Sequence, residues 1–248
     1  MKKIIFLTLI KVMLLGWTSS LKAQVVIDVE SGLVFTGYNN VRIPGDKGTL
    51  FSLKDDLNAE AKIFYRLRLS YTFKSRHTIS ALYAPLEVKS EGTVPFDISF
   101  METIFHANTE LVGNYKFNSY RFTYRYDIVK KPKLEFGLGL TAKIRDAKIS
   151  LYSDNQPDKK TNVGFVPIIN FRLLWKVDDK FGLLLDGDAL AAPQGRAEDV
   201  LIAATYKLSD NFGIRAGYRI LEGGADNDEV YNFALLNYAS VGISYTFK

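Results

Sequence analysis

The sequence predicts an all-β fold, a closed antiparallel β-barrel that crosses a membrane with ten strands, with eight strands as the alternative. Three observations support this prediction. Apolar and polar residues alternate with a period of two in ten segments, and short polar turns alternate with longer connections between them. Aromatic residues gather at the short-turn end of the apolar faces. An even number of strands places both termini on the short-turn side.

Residues 1–23 have the features of a signal peptide, and residues 24–248 form the predicted barrel domain. Two lysines precede an apolar stretch over residues 4–17, and small residues lead to a predicted cleavage after Ala23. An uncleaved anchor helix is the alternative. It is disfavoured because Lys11 interrupts the apolar stretch, which leaves runs shorter than the roughly 20 residues that a spanning helix needs. Downstream of the leader, a membrane crossing would require a closed barrel, which pairs every backbone group in lipid.

The charge balance does not favour nucleic acid as a partner. The formal net charge is +5, but four of the 32 basic residues are leader lysines, which leaves 28 against 27 acidic residues. The absence of cysteine excludes disulfides, thiol nucleophiles and thiolate metal sites.

Two of the predicted strands contain a point at which the apolar face changes sides. The alternation slips near Asn118–Ser119, which predicts a bulge, and slips again near Arg145–Asp146. The ten predicted strands cover residues 26–37, 61–74, 78–88, 110–128, 134–151, 163–177, 181–191, 199–208, 212–221 and 233–247.

The connections predict which end of the barrel faces outward. Short polar turns are expected at residues 75–77, 130–133, 178–180 and 209–211. Longer loops are expected at residues 39–60, 89–109, 153–162, 192–198 and 222–231. Short turns on one side and long loops on the other are typical of outer-membrane barrels, whose short turns are periplasmic.

The aromatic residues favour lipid, rather than a dry core, beside the apolar faces. They lie at one height, as in an interfacial girdle, whereas a soluble sandwich or lipocalin-like barrel is the alternative. The predicted girdle comprises Tyr71, Phe73, Tyr124, Tyr126, Phe136, Trp175, Phe181, Tyr206, Phe212, Tyr245 and Phe247. The opposite face mixes charges with glycines, as expected of a wet or salt-bridged lumen. Its charged members are Asp28, Glu30, Arg66, Arg68, Arg121, Arg125, Glu135, Lys143, Arg172, Asp186, Asp188, Arg215 and Arg219.

A cluster of charged residues is expected in the outer half of the barrel, where three neighbouring strands and their loops meet. One interpretation is a structural salt-bridge network that plugs the lumen, because buried charges must be paired. A ligand site for a small anion at the mouth and a Ca²⁺ site formed by loop carboxylates are the alternatives. The candidate residues are Asp186, Asp188, Arg196, Arg215, Arg219, Glu222 and Asp226, with Glu198, Asp228 and Glu229 nearby.

Catalytic signals are sparse. His77 lies in a short turn and His106 in a long loop, and no nucleotide-binding, hydrolase or metalloprotease motif is present. His106 with Ser99 is the single candidate for a base and nucleophile. No cofactor and no resident metal are expected.

The chain ends Ser244-Tyr-Thr-Phe-Lys248, and an aromatic residue at this end is read by the barrel-assembly machinery. The mature chain resembles bacterial outer-membrane barrels of the small, OmpA/OmpW-like size class, and its start at Gln24 resembles Bacteroidetes export products. Residues 139–146, 186–197 and 217–226 resemble an uncharacterised family of such barrels. The resemblance implies an outer-membrane barrel and no particular activity.

Three functions remain open at this point. The first is a structural, binding or narrow-pore barrel with a charged, largely plugged lumen, and any such pore would prefer anions. The second is an enzyme that modifies lipid A or phospholipid acyl chains. The third is passive passage of small molecules. The expected partners are outer-membrane lipid and lipopolysaccharide, the barrel-assembly machinery and a small anionic ligand.

Overall fold

The computed structural model describes residues 23–153, 156–193 and 195–247. Apart from Ala23, the leader lies outside these ranges, so its cleavage stays a prediction. The described part of the chain contains no helix long and apolar enough to span a membrane. The strands are β1 Gln24–Arg42, β2 Phe51–Ser52, β3 Asn58–Ala59, β4 Lys62–Phe73, β5 His77–Ala84, β6 Glu87–Gly92, β7 Ile98–Phe100, β8 Thr103–Phe105, β9 Leu111–Lys130, β10 Leu134–Ser153, β11 Gln156–Lys176, β12 Phe181–Ala192, β13 Gly195–Lys207, β14 Phe212–Asp226 and β15 Tyr231–Phe247.

The strands close into an antiparallel barrel of ten. Neighbours run in the order β1, β4, β5, β9, β10, β11, β12, β13, β14 and β15, and β15 pairs with β1 along its whole length. β6 continues the position of β5 beyond Pro85, because both pair with β9. The predicted ten-strand barrel is therefore confirmed, and the eight-strand alternative is wrong.

The outer wall of the barrel carries an apolar belt. Ile63, Leu67 and Leu69 on β4 alternate with inward Arg66 and Arg68, and the apolar side chains are 45–74% exposed. A soluble protein does not expose such a surface around its whole girth, so this belt must lie in lipid. The aromatic girdle at the short-turn end includes the contacting ring pairs Tyr71–Phe73, Phe181–Tyr206, Phe212–Tyr245 and Tyr245–Phe247.

The bulge predicted near Asn118–Ser119 is wrong, and the slip near Arg145–Asp146 does not reflect a change in strand geometry either. No register shift occurs at Asn118–Ser119 or at Arg145–Asp146; the β9–β10 ladder shifts instead at Phe136/Gly137. What changes at the predicted positions is the polarity of the two faces. Above them Tyr115 and Ile149 still point inward but are apolar and buried, while outward Lys116 bonds to Asp146 at 2.6 Å. The strands leave lipid there, so the outer face becomes polar without any change in parity.

Three of the five predicted long loops are mainly strand. β11 begins at Gln156, the β12–β13 hairpin turns between Ala192 and Gly195, and β14 continues to Asp226. The barrel wall therefore rises well above the lipid belt. Hydrophobic alternation is weak in these rims because water, and not lipid, faces their outer side.

The two remaining long loops fold back into the outer end of the barrel. We call residues 43–60 and 93–110 the outer plug. Eight of its apolar side chains are at most 2% exposed and pack against inward residues of the rims, such as Val41, Leu151 and Leu236, whereas Leu50, Phe96 and Ile104 are exposed. The plug side chains in this core are Ile43, Phe51, Leu53, Leu57, Val94, Ile98, Phe100 and Phe105.

Candidate functional site

At the level of the lipid belt, the interior is occupied by an ion-pair layer of five carboxylates and five arginines. Strand alternation turns these side chains inward, because every second residue of a barrel strand faces the lumen. The layer consists of Asp28, Glu30, Asp186, Asp188, Asp199, Arg66, Arg68, Arg121, Arg215 and Arg219.

Asp199 lies at the centre of the layer. Its carboxylate accepts hydrogen bonds from Arg66 at 2.9 Å, from Arg121 at 2.5 Å and from Arg219. These three arginines come from β4, β9 and β14, so the contacts join distant parts of the wall. All four side chains are at most 5% exposed. Removing one member would leave buried charges without partners, which costs about 3–5 kcal/mol.

Two further groups extend the layer to either side. Glu30 accepts from Arg219 at 2.8 Å and from Arg215 at 2.9 Å, and Arg215 also donates to Asp28. On the far wall, Asp188 accepts from Arg121 at 2.6 Å.

The oxygens of the acidic pair on β12 also have other partners. Asp188 accepts from the hydroxyl of Thr141 at 2.7 Å and from the amide of Asn170 at 3.0 Å. Asp186 accepts from Arg68 at 2.8 Å. Each carboxylate of the layer thus has at least one arginine, as a buried charge requires.

The residues predicted as one cluster lie in three places. Asp186, Asp188, Arg215 and Arg219 belong to the ion-pair layer. Arg196 and Glu222 face outward near the rim, and Asp226 is exposed at the end of β14.

The rim pair is a small site of its own. The guanidinium of Arg196 donates to both oxygens of Glu222, at 2.8 and 2.7 Å, and stacks over the ring of Phe233. Tyr38 donates its hydroxyl to the same carboxylate. Burial acts to raise the pKa of Glu222, but the hydrogen bonds from Arg196 and Tyr38 outweigh it, and the pKa lies below its ordinary value.

Asp199 was not among the residues predicted for the cluster, although the sequence contained a signal for it. Pro193 and Gly195, in the connection expected at residues 192–198, are typical of a turn, and a hairpin about them places Asp199 opposite Asp188. Glu30, Arg66 and Arg121 were predicted to face the lumen, but nothing in the sequence indicated that they share partners with Asp199.

Above the layer lies a cavity of about 530 Å³, within the size range of small-molecule sites. Residues of β9, β10, β11, β13, β14 and β15 line it, whereas no described residue of β12 does. Apolar side chains such as Phe117, Val166 and Leu221 form much of its lining, and Lys143 and Arg145 project from β10.

The barrel wall is incomplete beside this cavity. β11 pairs with β12 only from Ile169 to Lys176, so its stretch from residue 156 to 168 is hydrogen-bonded on one side alone. Pro167, which has no N–H to offer a neighbouring strand, lies in this stretch. We call the space between this edge and β12 the wall gap.

The catalytic candidates are not in contact. The imidazole of His106 is 77% exposed and lies 3.6 Å from Asp97, and Ser99 pairs with Ile104 in the β7–β8 hairpin. No hydrogen bond joins His106 to Ser99 in the described residues. The described chain also contains no group of His, Asp and Glu side chains suited to a metal ion.

Comparisons with known proteins agree on the fold. No protein-family model and no curated protein sequence matches. The chain is similar to the outer-membrane protease OmpT of Escherichia coli (TM-score 0.55, 12% identity, 93% of this chain and 99% of that chain covered). It also matches Ail, the attachment invasion locus protein of Yersinia pestis (TM-score 0.39, 12% identity, 90% and 99% covered). A third match is an outer-membrane channel of Pseudomonas putida F1 (TM-score 0.44, 10% identity, 94% and 98% covered).

The closed barrel and its apolar belt, with the likeness in fold to OmpT, are those of a small outer-membrane β-barrel. At this identity the likeness concerns the fold, and it assigns no activity to the chain.

Proposed function

We propose that this outer-membrane barrel does not conduct and instead binds a small anionic ligand at its outer end. One observation carries the proposal. The side chains of Asp199, Arg66, Arg121 and Arg219 meet across the interior and are at most 5% exposed, which leaves no water-filled path between them. A pore requires such a path at every level.

Two features beyond the ion-pair layer support the proposal. The outer plug occupies part of the upper interior with apolar side chains, which adds a second layer of packing above the first. The cavity next to the plug is the size of a ligand site and has cationic side chains on its wall. An enzyme of lipid chemistry gains no support from His106 and Ser99, because no hydrogen bond joins the two side chains in the described residues.

Planar-bilayer recording of the refolded protein tests the closure. We expect no steady single-channel current at moderate voltage, with insertion verified by protease protection in vesicles prepared in the same way. Steady, charge-selective current from the wild-type protein would overturn the proposal.

A matched variant shows which barrier closes the barrel. Leu57→Ala weakens the outer plug but leaves the ion-pair layer intact, so we expect it to be as silent as the wild type. If Leu57→Ala conducted while the wild type did not, the outer plug and not the ion-pair layer would be the barrier to ions, which would contradict the argument from the layer.

A further inference from the structure

Two cationic groups in the outer cavity have no carboxylate partner. Lys143 is 2% exposed, and its ammonium lies 4.8 Å from the ring centre of Phe117. The nearby carboxylates Asp188 and Asp199 are already bound to Arg121. No carboxylate in the described chain lies within 4 Å of the Lys143 nitrogen.

Arg145, two residues further along β10, has a neutral partner. Its guanidinium donates to the side-chain oxygen of Asn162 at 2.5 Å, and its Nε is buried without a partner. The carboxylates on the same cavity wall are compensated or at the rim. Glu229 bonds to Lys160 at 3.0 Å, Glu222 bonds to Arg196 at 2.7 Å, and Asp228 is exposed.

A buried, unpaired lysine is costly unless something compensates it, and Lys143 lines a space large enough for a ligand. The group that would satisfy both Lys143 and Arg145 is an oxyanion, such as a carboxylate or a phosphate. Another part of the lining demands something different, because the side chains of Phe117, Val166 and Leu221 offer no polar atoms.

The wall gap is bordered on its outer side by apolar side chains. On β11, Val163 and Phe165 face outward at the edge of the gap and are 72% and 67% exposed. Phe165 pairs with Ile144, which belongs to the apolar belt. The lower part of the gap thus borders the outer leaflet, where an apolar chain could remain in hydrocarbon.

We infer that the outer cavity binds an amphipathic anion, with a carboxylate or phosphate head at Lys143 and Arg145 and one apolar chain leading through the wall gap. The inference rests on the proposed binding function and adds the chemical class of the ligand. A free inorganic anion would leave the apolar lining without contacts, and an uncharged lipid would leave Lys143 unpaired.

Equilibrium binding of radiolabelled dodecanoate to the refolded protein in dodecyl maltoside micelles tests the ligand class. Dodecyl maltoside has the same twelve-carbon chain as dodecanoate but an uncharged head, and it competes for the apolar part of the site. Saturable binding above that of empty micelles therefore measures the contribution of the anionic head group. We expect one site per chain, displaced by dodecyl phosphate and not by inorganic phosphate. Equal displacement by inorganic phosphate would overturn the requirement for a chain.

Two substitutions locate the site. Lys143→Met keeps the volume and removes the charge, and it should weaken binding about tenfold or more. Val166→Trp fills the cavity and should abolish binding, although Lys143 and Arg145 are both retained in this variant. Lys116→Met is the matched control, because Lys116 bonds to Asp146 on the outer face, and it should bind like the wild type. Wild-type affinity in either cavity variant would overturn the inference, once a heat-induced shift in gel mobility has shown that each variant is folded.

The path of the chain can be tested by fluorescence quenching. Phe165→Trp places an indole at the wall gap, and 12-bromododecanoate should quench it, whereas unlabelled dodecanoate should not. Quenching should disappear when Lys143→Met is added, and its persistence there would indicate partition into the micelle instead. These measurements report ligand binding and not current. A failure to bind dodecanoate would therefore contradict this inference, whereas the non-conducting state of the barrel is tested separately by the bilayer recordings.

Discussion

The interior of the barrel is packed in two different ways. At the level of lipid it holds buried ion pairs, and above lipid it holds the apolar outer plug. The two regions share the same strands and the same side-chain parity. They differ in what lies outside the wall, which is hydrocarbon below and water above. In each region the strands have one polar face, which points inward below and outward above. No strand segment is therefore apolar on both faces, and none has the continuous apolar sequence of a membrane helix.

The comparison also predicts how the regions respond to damage. Ion pairs in a low-dielectric interior depend on complete partner sets, because a charge left alone retains its full desolvation cost. Apolar packing loses stability in proportion to the volume removed, and neighbours can relax into the space. The ion-pair layer should therefore fail as a unit, whereas the outer plug should loosen locally.

The largest effect is expected from Asp199→Asn. The change leaves Arg66, Arg121 and Arg219 short of one negative charge, and we expect a loss of about 3–5 kcal/mol in the free energy of unfolding. Urea unfolding of the vesicle-embedded barrel, followed by fluorescence of Trp175, measures it. Asp179→Asn in an exposed turn is the control and should change stability by less than about 0.5 kcal/mol. Equal stability of the two variants would contradict the central role of Asp199.

Leu57→Ala tests the other region. Leu57 is fully buried in the outer plug, and its truncation should cost about 2–5 kcal/mol of local packing. We expect faster protease cleavage within residues 43–60 and no shift of the Trp175 unfolding transition, because the lipid-level wall does not depend on the plug. A matched loss in that transition would show that the two regions unfold together.

The boundary between the regions can be tested from outside the barrel. Leu140→Arg places a charge on the apolar belt, where the wild-type side chain is 68% exposed to lipid, and should cost about 2–4 kcal/mol. Thr161→Arg also faces outward, opposite Lys148 and above the polarity change, and should be nearly neutral. Comparable losses in urea unfolding would place the lipid boundary higher than the structure indicates.

Much of the fold could be predicted from sequence because a strand in lipid must alternate. The alternation on β4 follows directly from that requirement, with outward Ile63, Leu67 and Leu69 between inward Arg66 and Arg68. The same rule failed at Asn118 and Arg145, since alternation reveals which residues share a face but not which face is wet. Where lipid gave way to water the polarity changed sides, and this was interpreted as a bulge.

The candidate site was less accessible to prediction. Parity predicted that Asp186, Asp188, Arg215 and Arg219 share the lumen, but ion pairs across a barrel depend on its closure and shear. Arg66 and Asp199 are 133 residues apart in sequence, and no local pattern connects them. The cavity depends on where β12 stops pairing with β11, which only the assembled wall reveals.

The smallest effect is expected at the rim, where Arg196 and Glu222 form an ion pair that belongs to neither interior region. The pKa of Glu222 is lowered in the folded protein from its ordinary value of 4.5, so the pair contributes fully above that pH and less as the pH falls through the folded pKa. Because the pair is partly exposed and screened by solvent, Glu222→Gln should cost only about 0.5–1 kcal/mol at pH 7. Urea unfolding of both proteins between pH 7 and pH 3 should show their difference shrinking toward zero in acid. A difference that stays constant with pH would mean that Glu222 contributes through packing alone, and the electrostatic stabilisation of the wall would then be confined to the ion-pair layer.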